Sequence, residues 1–107
     1  MFNHETYIQY IRDNTLYKEQ LAMLAEECAE LAQAALKMRR VIDPDASPTT
    51  VSTSDAENHM REEVADVLTC LLVIGDYIDG VNPYSSVEQI MSDKLERWHD
   101  RIEEANN

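Results

Sequence analysis

The sequence predicts an all-α fold, a four-helix bundle-like protomer assembling as a dimer or tetramer, and three observations carry that prediction. Glycine and proline are scarce, at 2 and 3 of 107 residues, while Ala, Leu, Met, Glu, Gln and Arg fill the periodic stretches. Apolar residues recur at alternating steps of three and four, the period of a helix with one buried face. Segments rich in Ser, Thr, Asp, Asn and Pro separate four such stretches. One domain spanning residues 1–107 is expected, with a core small enough that a second subunit would help bury apolar surface.

The first helix is expected over His4–Asp13, where Tyr7, Ile8, Tyr10 and Ile11 make a face that packs on the next helix or covers a bound base. Asn14 or Thr15 offers a cap. A long helix follows from about Leu16 to Val41. Its seam is placed at Leu21, Leu24, Cys28, Leu31, Ala35 and Met38, with Glu27 and Glu30 along the border, roughly 60° apart around the axis. Ordinary solvent-facing glutamates would stand opposite the seam.

Residues 43–53, DPDASPTTVST, contain two prolines and a run of Ser, Thr and Asp, so a mobile loop is expected there. Ser54 and Glu57 have the form of a capping box that starts a third helix, which continues through EEVADVLTCLLVIG to a cap at Gly80, with Pro83 beyond. In this scheme Gly75 is inside the helix, costing about 1 kcal/mol and permitting close helix approach. Ser85 and Glu88 repeat the box. A fourth helix, from about Ser86 to Glu104, carries Val87, Ile90, Met91, Leu95, Trp98 and Ile102 on one face and Lys94, Arg97 and Arg101 as a basic ridge.

A net charge of −12 disfavours a nucleic-acid polymer or an anionic membrane as partner. It leaves room for a small anionic substrate where a cation inverts the local field, and Lys37, Arg39, Arg40 and the ridge on the fourth helix concentrate positive charge. The apolar run Val64–Gly75 is too short for a membrane span. Cys28 and Cys70 are expected as buried, reduced thiols, and with no secretory leader at the start the expected location is cytoplasmic.

The chemistry is carried by two i, i+3 acidic pairs, Glu27-x-x-Glu30 and Glu63-x-x-Asp66. If their helices pack antiparallel, four carboxylates converge. At about 5 Å and an effective dielectric near 20, each like-charged pair costs about 3 kcal/mol, so the cluster calls for a cation. Oxygen-only ligands select a hard one, Mg²⁺ with Mn²⁺ as a substitute, which accepts phosphate oxygens and activates water.

EECAELAQA followed by EEVADVL resembles the ExxE…ExxD signature of the MazG-type all-α NTP pyrophosphatases, which include dUTPase-like, dCTPase-like and phosphoribosyl-ATP pyrophosphatase relatives. The similarity covers roughly Leu16 to Arg101. It implies a Mg²⁺-dependent hydrolase that splits a nucleoside triphosphate, NTP or dNTP, between the α and β phosphates, giving the monophosphate and pyrophosphate, in helical dimers or tetramers. It makes Glu27, Glu30, Glu63 and Asp66 the metal ligands and catalytic groups, and places Lys94 and Arg97 toward the phosphates. Lys37 and Arg40 are further phosphate contacts, and Trp98 or Tyr7 a surface for stacking a base, although aromatics at helical spacing more often belong to a core. The interval from Glu30 to Glu63 is wider than the family's, and the excess falls in the Pro/Ser/Thr loop.

Two other readings compete. A di-iron bundle needs two Glu-x-x-His pairs, and Glu96-x-x-His99 alone has that form. A non-enzymatic helical interaction module would use the acids to solvate helix borders. His59, four residues before Glu63, is expected as an exposed histidine near the helix start. Glu26 and Glu62 are expected to face solvent, where either would serve as a base that orients the attacking water.

Overall fold

A computed structural model of the chain describes residues 4–43, 51–75 and 86–107, and these form four helices: α1 His4–Asn14, α2 Tyr17–Ile42, α3 Thr53–Ile74 and α4 Ser86–Asn106. All four start close to the expected positions, although α3 ends at Ile74, short of the expected Gly80, and no strand occurs among the described residues. The central residues of the 43–53 loop, the Gly80 cap and Ser85 lie outside the described residues.

The chain divides into two compact units, residues 1–74 with α1 to α3 and residues 75–107 with α4. In the first, α2 and α3 form the main packed pair, and α1 packs on α3 rather than on the next helix in sequence. The N-terminal part of α2, at Gln20 and Met23, lies beside Thr69, Cys70 and Val73 near the end of α3, so the pair is antiparallel.

Local chemistry corrects several helix ends. The α2 N-cap is Leu16, in extended conformation. Leucine has no side-chain acceptor to cap the first turn; its carbonyl receives the N–H groups of Glu19 and Gln20 at 2.9 and 3.0 Å as any N-cap carbonyl does, and Glu19 Oε1 accepts from the Leu16 N–H at 3.1 Å. Asn14 and Thr15 turn backward instead, donating to the carbonyls of Tyr10 at 2.7 Å and Ile11 at 2.6 Å, which closes α1. Ser52 rather than Ser54 caps α3: its Oγ accepts the Asp55 N–H at 3.1 Å. Gly75 is outside the helix, not within it, at φ 79°, the left-handed conformation that glycine adopts without a Cβ clash. Arg12 satisfies the carbonyls that this ending frees, donating through Nε to Val73 O at 2.7 Å and through a terminal nitrogen to Leu72 O at 2.6 Å.

The buried stripe of α2 also differs in phase from the expected seam. Gln20 and Ala34 are buried, and Leu24, Glu27, Leu31, Met38 and Val41 are half-buried, at steps of three and four. Leu21, Cys28 and Ala35 are exposed in the single chain. On α3 the buried stripe is Ala56, Glu63, Cys70, Val73 and Ile74, while Val64, Leu68 and Leu72 are exposed. Of the two thiols, therefore, Cys70 is buried and Cys28 is not. Tyr7 and Tyr10 are largely exposed, and Tyr7, Ile8 and Ile11 of α1 lie beside Thr69, Leu72 and Val73. In α4, Ile90, Met91, Leu95, Trp98 and Ile102 are exposed.

Candidate metal centre

Where the central turns of α2 and α3 meet, Glu27 and Glu63 occupy the buried stripes themselves, positions that a helix pair ordinarily fills with Leu or Ala. Glu30 and Asp66 follow three residues later on each helix and are exposed, turned about 60° from the contact line. The sequence places Glu27 at the seam's border; the structure places it within the seam. One carboxylate oxygen from each of Glu27, Glu30, Glu63 and Asp66 lies within 4.8 Å of the others. The outer pair marks the open side of the cluster.

Two oxygens in this cluster, Glu27 Oε2 and Glu63 Oε2, are buried and have no hydrogen-bond partner. Burial, followed by the charges of Glu30, Asp66 and Glu63, raises the pKa of Glu27 above the ordinary value of 4.5, and a hydrogen bond with Asp66 acts in the same direction. Burial also pushes the Cys70 thiol up, assisted by the charges of Glu27 and Asp66. Buried carboxylate oxygens without donors, crowded by like charges, fit a hard divalent cation better than they fit empty space. Among the described residues this is the group of four acids or histidines positioned to hold an ion.

The same face carries an apolar recess of about 100 Å³ lined by Ile11, Thr15, Gln20, Met23, Thr69, Cys70 and Val73. Met23 precedes Glu27 by one turn and Thr69 follows Asp66 by nearly one, so the recess adjoins the carboxylates.

The chain matches the sequence model of the MazG nucleotide pyrophosphohydrolase domain over residues 16–102. It belongs to that family. The MazG match spans α2, α3 and most of α4 and includes all four clustered acids. MazG proteins are generally divalent-metal dependent, in keeping with the donor set. No curated protein and no solved structure gives a significant match.

The remaining predicted site residues are distributed as follows. Lys37 is half-buried, seven residues beyond Glu30 on the same face of α2 and therefore about 10 Å along the axis. Arg40 is exposed and turned roughly 80° from Glu30 round the helix. Lys94, Arg97 and Trp98 are on α4, in the second unit, all exposed. Glu26 and Glu62 are exposed, as expected. His99 faces Asp100 at 3.1 Å and Glu103 at 3.8 Å, so its described contacts run to these and not to Glu96. His59 is half-buried rather than exposed and lies 3.2 Å from Glu63, a contact that the i, i+4 spacing permits but does not require.

Proposed function

We propose that the chain hydrolyses a nucleoside triphosphate, NTP or dNTP, to the monophosphate and pyrophosphate, with Mg²⁺ as cofactor and Mn²⁺ as a substitute. The observation that carries this reading is the cluster of Glu27, Glu30, Glu63 and Asp66, with two buried oxygens lacking donors, in a chain of the MazG family. When bound, the cation supplies positive charge to the phosphate oxygens and makes water a competent nucleophile. Glu27 and Glu63 hold it from within the helix contact. Glu30 and Asp66 complete the ligand set at the open side, where substrate and water arrive. Glu26 and Glu62 stand one residue before each pair in solvent, suited to take the proton from the attacking water.

Lys37 shares the face of Glu30 and is the phosphate contact on α2 that the geometry favours; Arg40 reaches that face only across the helix surface. From the family resemblance alone, Lys94 and Arg97 are proposed for the phosphates and Trp98 for the base, and the apolar recess suits the apolar side of a sugar or base. The family match runs through both compact units, in keeping with one functional domain over residues 1–107.

A homodimer or homotetramer accounts for the exposed apolar residues. Leu21 and Cys28 on α2 and Val64 on α3 are turned about 100° from their buried stripes in the same rotational sense. In an antiparallel pair that sets them on one side, opposite Glu30 and Asp66. An oligomer built there covers apolar surface and leaves the carboxylates open. No helix among the described residues is long and apolar enough to cross a membrane, and the reduced thiols fit a cytoplasmic setting.

A panel of NTPs and dNTPs with Mg²⁺, assayed for pyrophosphate, tests the proposal. Release from at least one nucleotide, abolished by a chelator, is expected. No release from any of them by protein with intact helical circular dichroism overturns it in favour of the interaction module.

A further inference from the structure

Glu63 is the most deeply buried member of the cluster, at 8% exposure, and its two oxygens have unlike surroundings. Oε1 lies 3.2 Å from His59 Nε2, one turn earlier on α3, while Oε2 is buried without a partner. A glutamate carboxylate turns freely about its last torsion unless something fixes it. One oxygen thus has an imidazole nitrogen within reach and the other has no partner, so the two are not equivalent.

We propose that His59 is a positioning residue for the metal centre: its Nε2–H holds Oε1 of Glu63 so that Oε2 is presented to the cation. The inference rests on the metal reading above. His59 is not itself a ligand in this scheme. The four carboxylates meet within 4.8 Å without it, its Nε2 lies 3.2 Å from Glu63 Oε1, and imidazole is a poor donor for a hard cation. Its side chain is 37% exposed, so the ring lies over the flank of the site and its loss leaves no sealed cavity in the core. The role is that of an outer partner that fixes a ligand's direction.

The test uses the full chain, with Mn²⁺ as the probe and free Mn²⁺ followed by electron paramagnetic resonance. Replacing His59→Leu keeps bulk and removes the donor; His59→Gln keeps an N–H that reaches the same oxygen from one turn away. Mn²⁺ binding should weaken about 10- to 100-fold for His59→Leu and recover largely for His59→Gln, with the metal-free melting temperature little changed in either. Pulsed measurements on the loaded wild-type protein should show no directly bonded nitrogen. If His59→Leu fails to fold, His59→Asn, with the same amide one bond shorter, replaces it and should bind as weakly.

Unaltered binding in the donor-free variant, failure of His59→Gln to rescue, or a nitrogen bonded to Mn²⁺ overturns the positioning role alone. A wild-type chain that binds no Mn²⁺ overturns the metal reading and this inference together.

Discussion

The guanidinium of Arg12 donates through Nε to the carbonyl oxygen of Val73 at 2.7 Å, across 61 residues of sequence. With the bond from the same side chain to Leu72 O at 2.6 Å, it closes the C-terminal end of α3, where helical carbonyls have no intrahelical donors and the backbone dipole favours a cation. The same two bonds attach α1 to the α2–α3 pair. Arg12→Ala is expected to lower stability by about 1–3 kcal/mol, measured by urea denaturation, and Arg12→Lys to restore only part of it, since one ammonium lacks the planar fork. Equal midpoints for wild type and Arg12→Ala would show that the contact contributes nothing.

Ser52→Ala should cost about 1 kcal/mol, because Ser52 Oγ is the acceptor for the Asp55 N–H. Ser54→Ala, at the serine that the sequence pattern favoured as a cap, should be nearly silent. The paired thermal melts discriminate the two cap positions, and a reversed order would place the start of α3 two residues later.

Glu63→Gln should reduce pyrophosphate release by at least about a hundredfold while leaving the metal-free protein as stable as the wild type or more so. The amide keeps volume and hydrogen-bonding capacity but removes one of four crowded charges. Steady-state assays and chelator-treated melts measure the two effects separately. Full activity would remove Glu63 from the site, and a large loss of stability would mean that its charge is compensated within the apoprotein.

Glu27 gives the protein a pH dependence of definite sign. Burial and the three neighbouring carboxylates raise its folded-state pKa above 4.5, so the folded chain holds this proton more tightly than the unfolded chain does. The resulting stability is complete below the unfolded value and is lost as pH rises through the folded one. In chelator, the melting temperature should therefore fall as pH is raised from the acid side of that window, and Glu27→Gln should flatten the fall. Excess Mg²⁺ should oppose it: at a hundred times the dissociation constant, ligation adds about 2.7 kcal/mol. A melting temperature that is insensitive to Mg²⁺ at neutral pH would argue against ligation.

The four helices were legible because helical periodicity and the scarcity of glycine and proline act along whole segments. Their ends were less so, since each depends on one local competition. Leu16 has no capping side chain and relies on Glu19; Ser52 and Ser54 are both plausible caps; Gly75 ends α3 in company with Arg12, which is distant in sequence. The phase of the α2 seam was misplaced for a related reason. Its buried stripe includes Gln20 and Glu27, whereas the more apolar stripe through Leu21, Cys28 and Ala35 is exposed in the single chain. Pattern reading follows hydrophobicity, and here a polar site occupies the contact. The four clustered acids were legible from two i, i+3 pairs. The contact of His59 with Glu63 was not, because the same spacing serves equally for a histidine in solvent.

If Glu27 and Glu63 hold the metal as proposed, their placement in the helix contact sets folding and function against each other. Leucine at either position would suit the contact better in the absence of metal, by exchanging a crowded charge for apolar packing. Selection for heat resistance alone, with no demand for turnover and no divalent ion present, should therefore enrich apolar substitutions at these two positions ahead of Glu30 and Asp66, whose carboxylates already reach solvent.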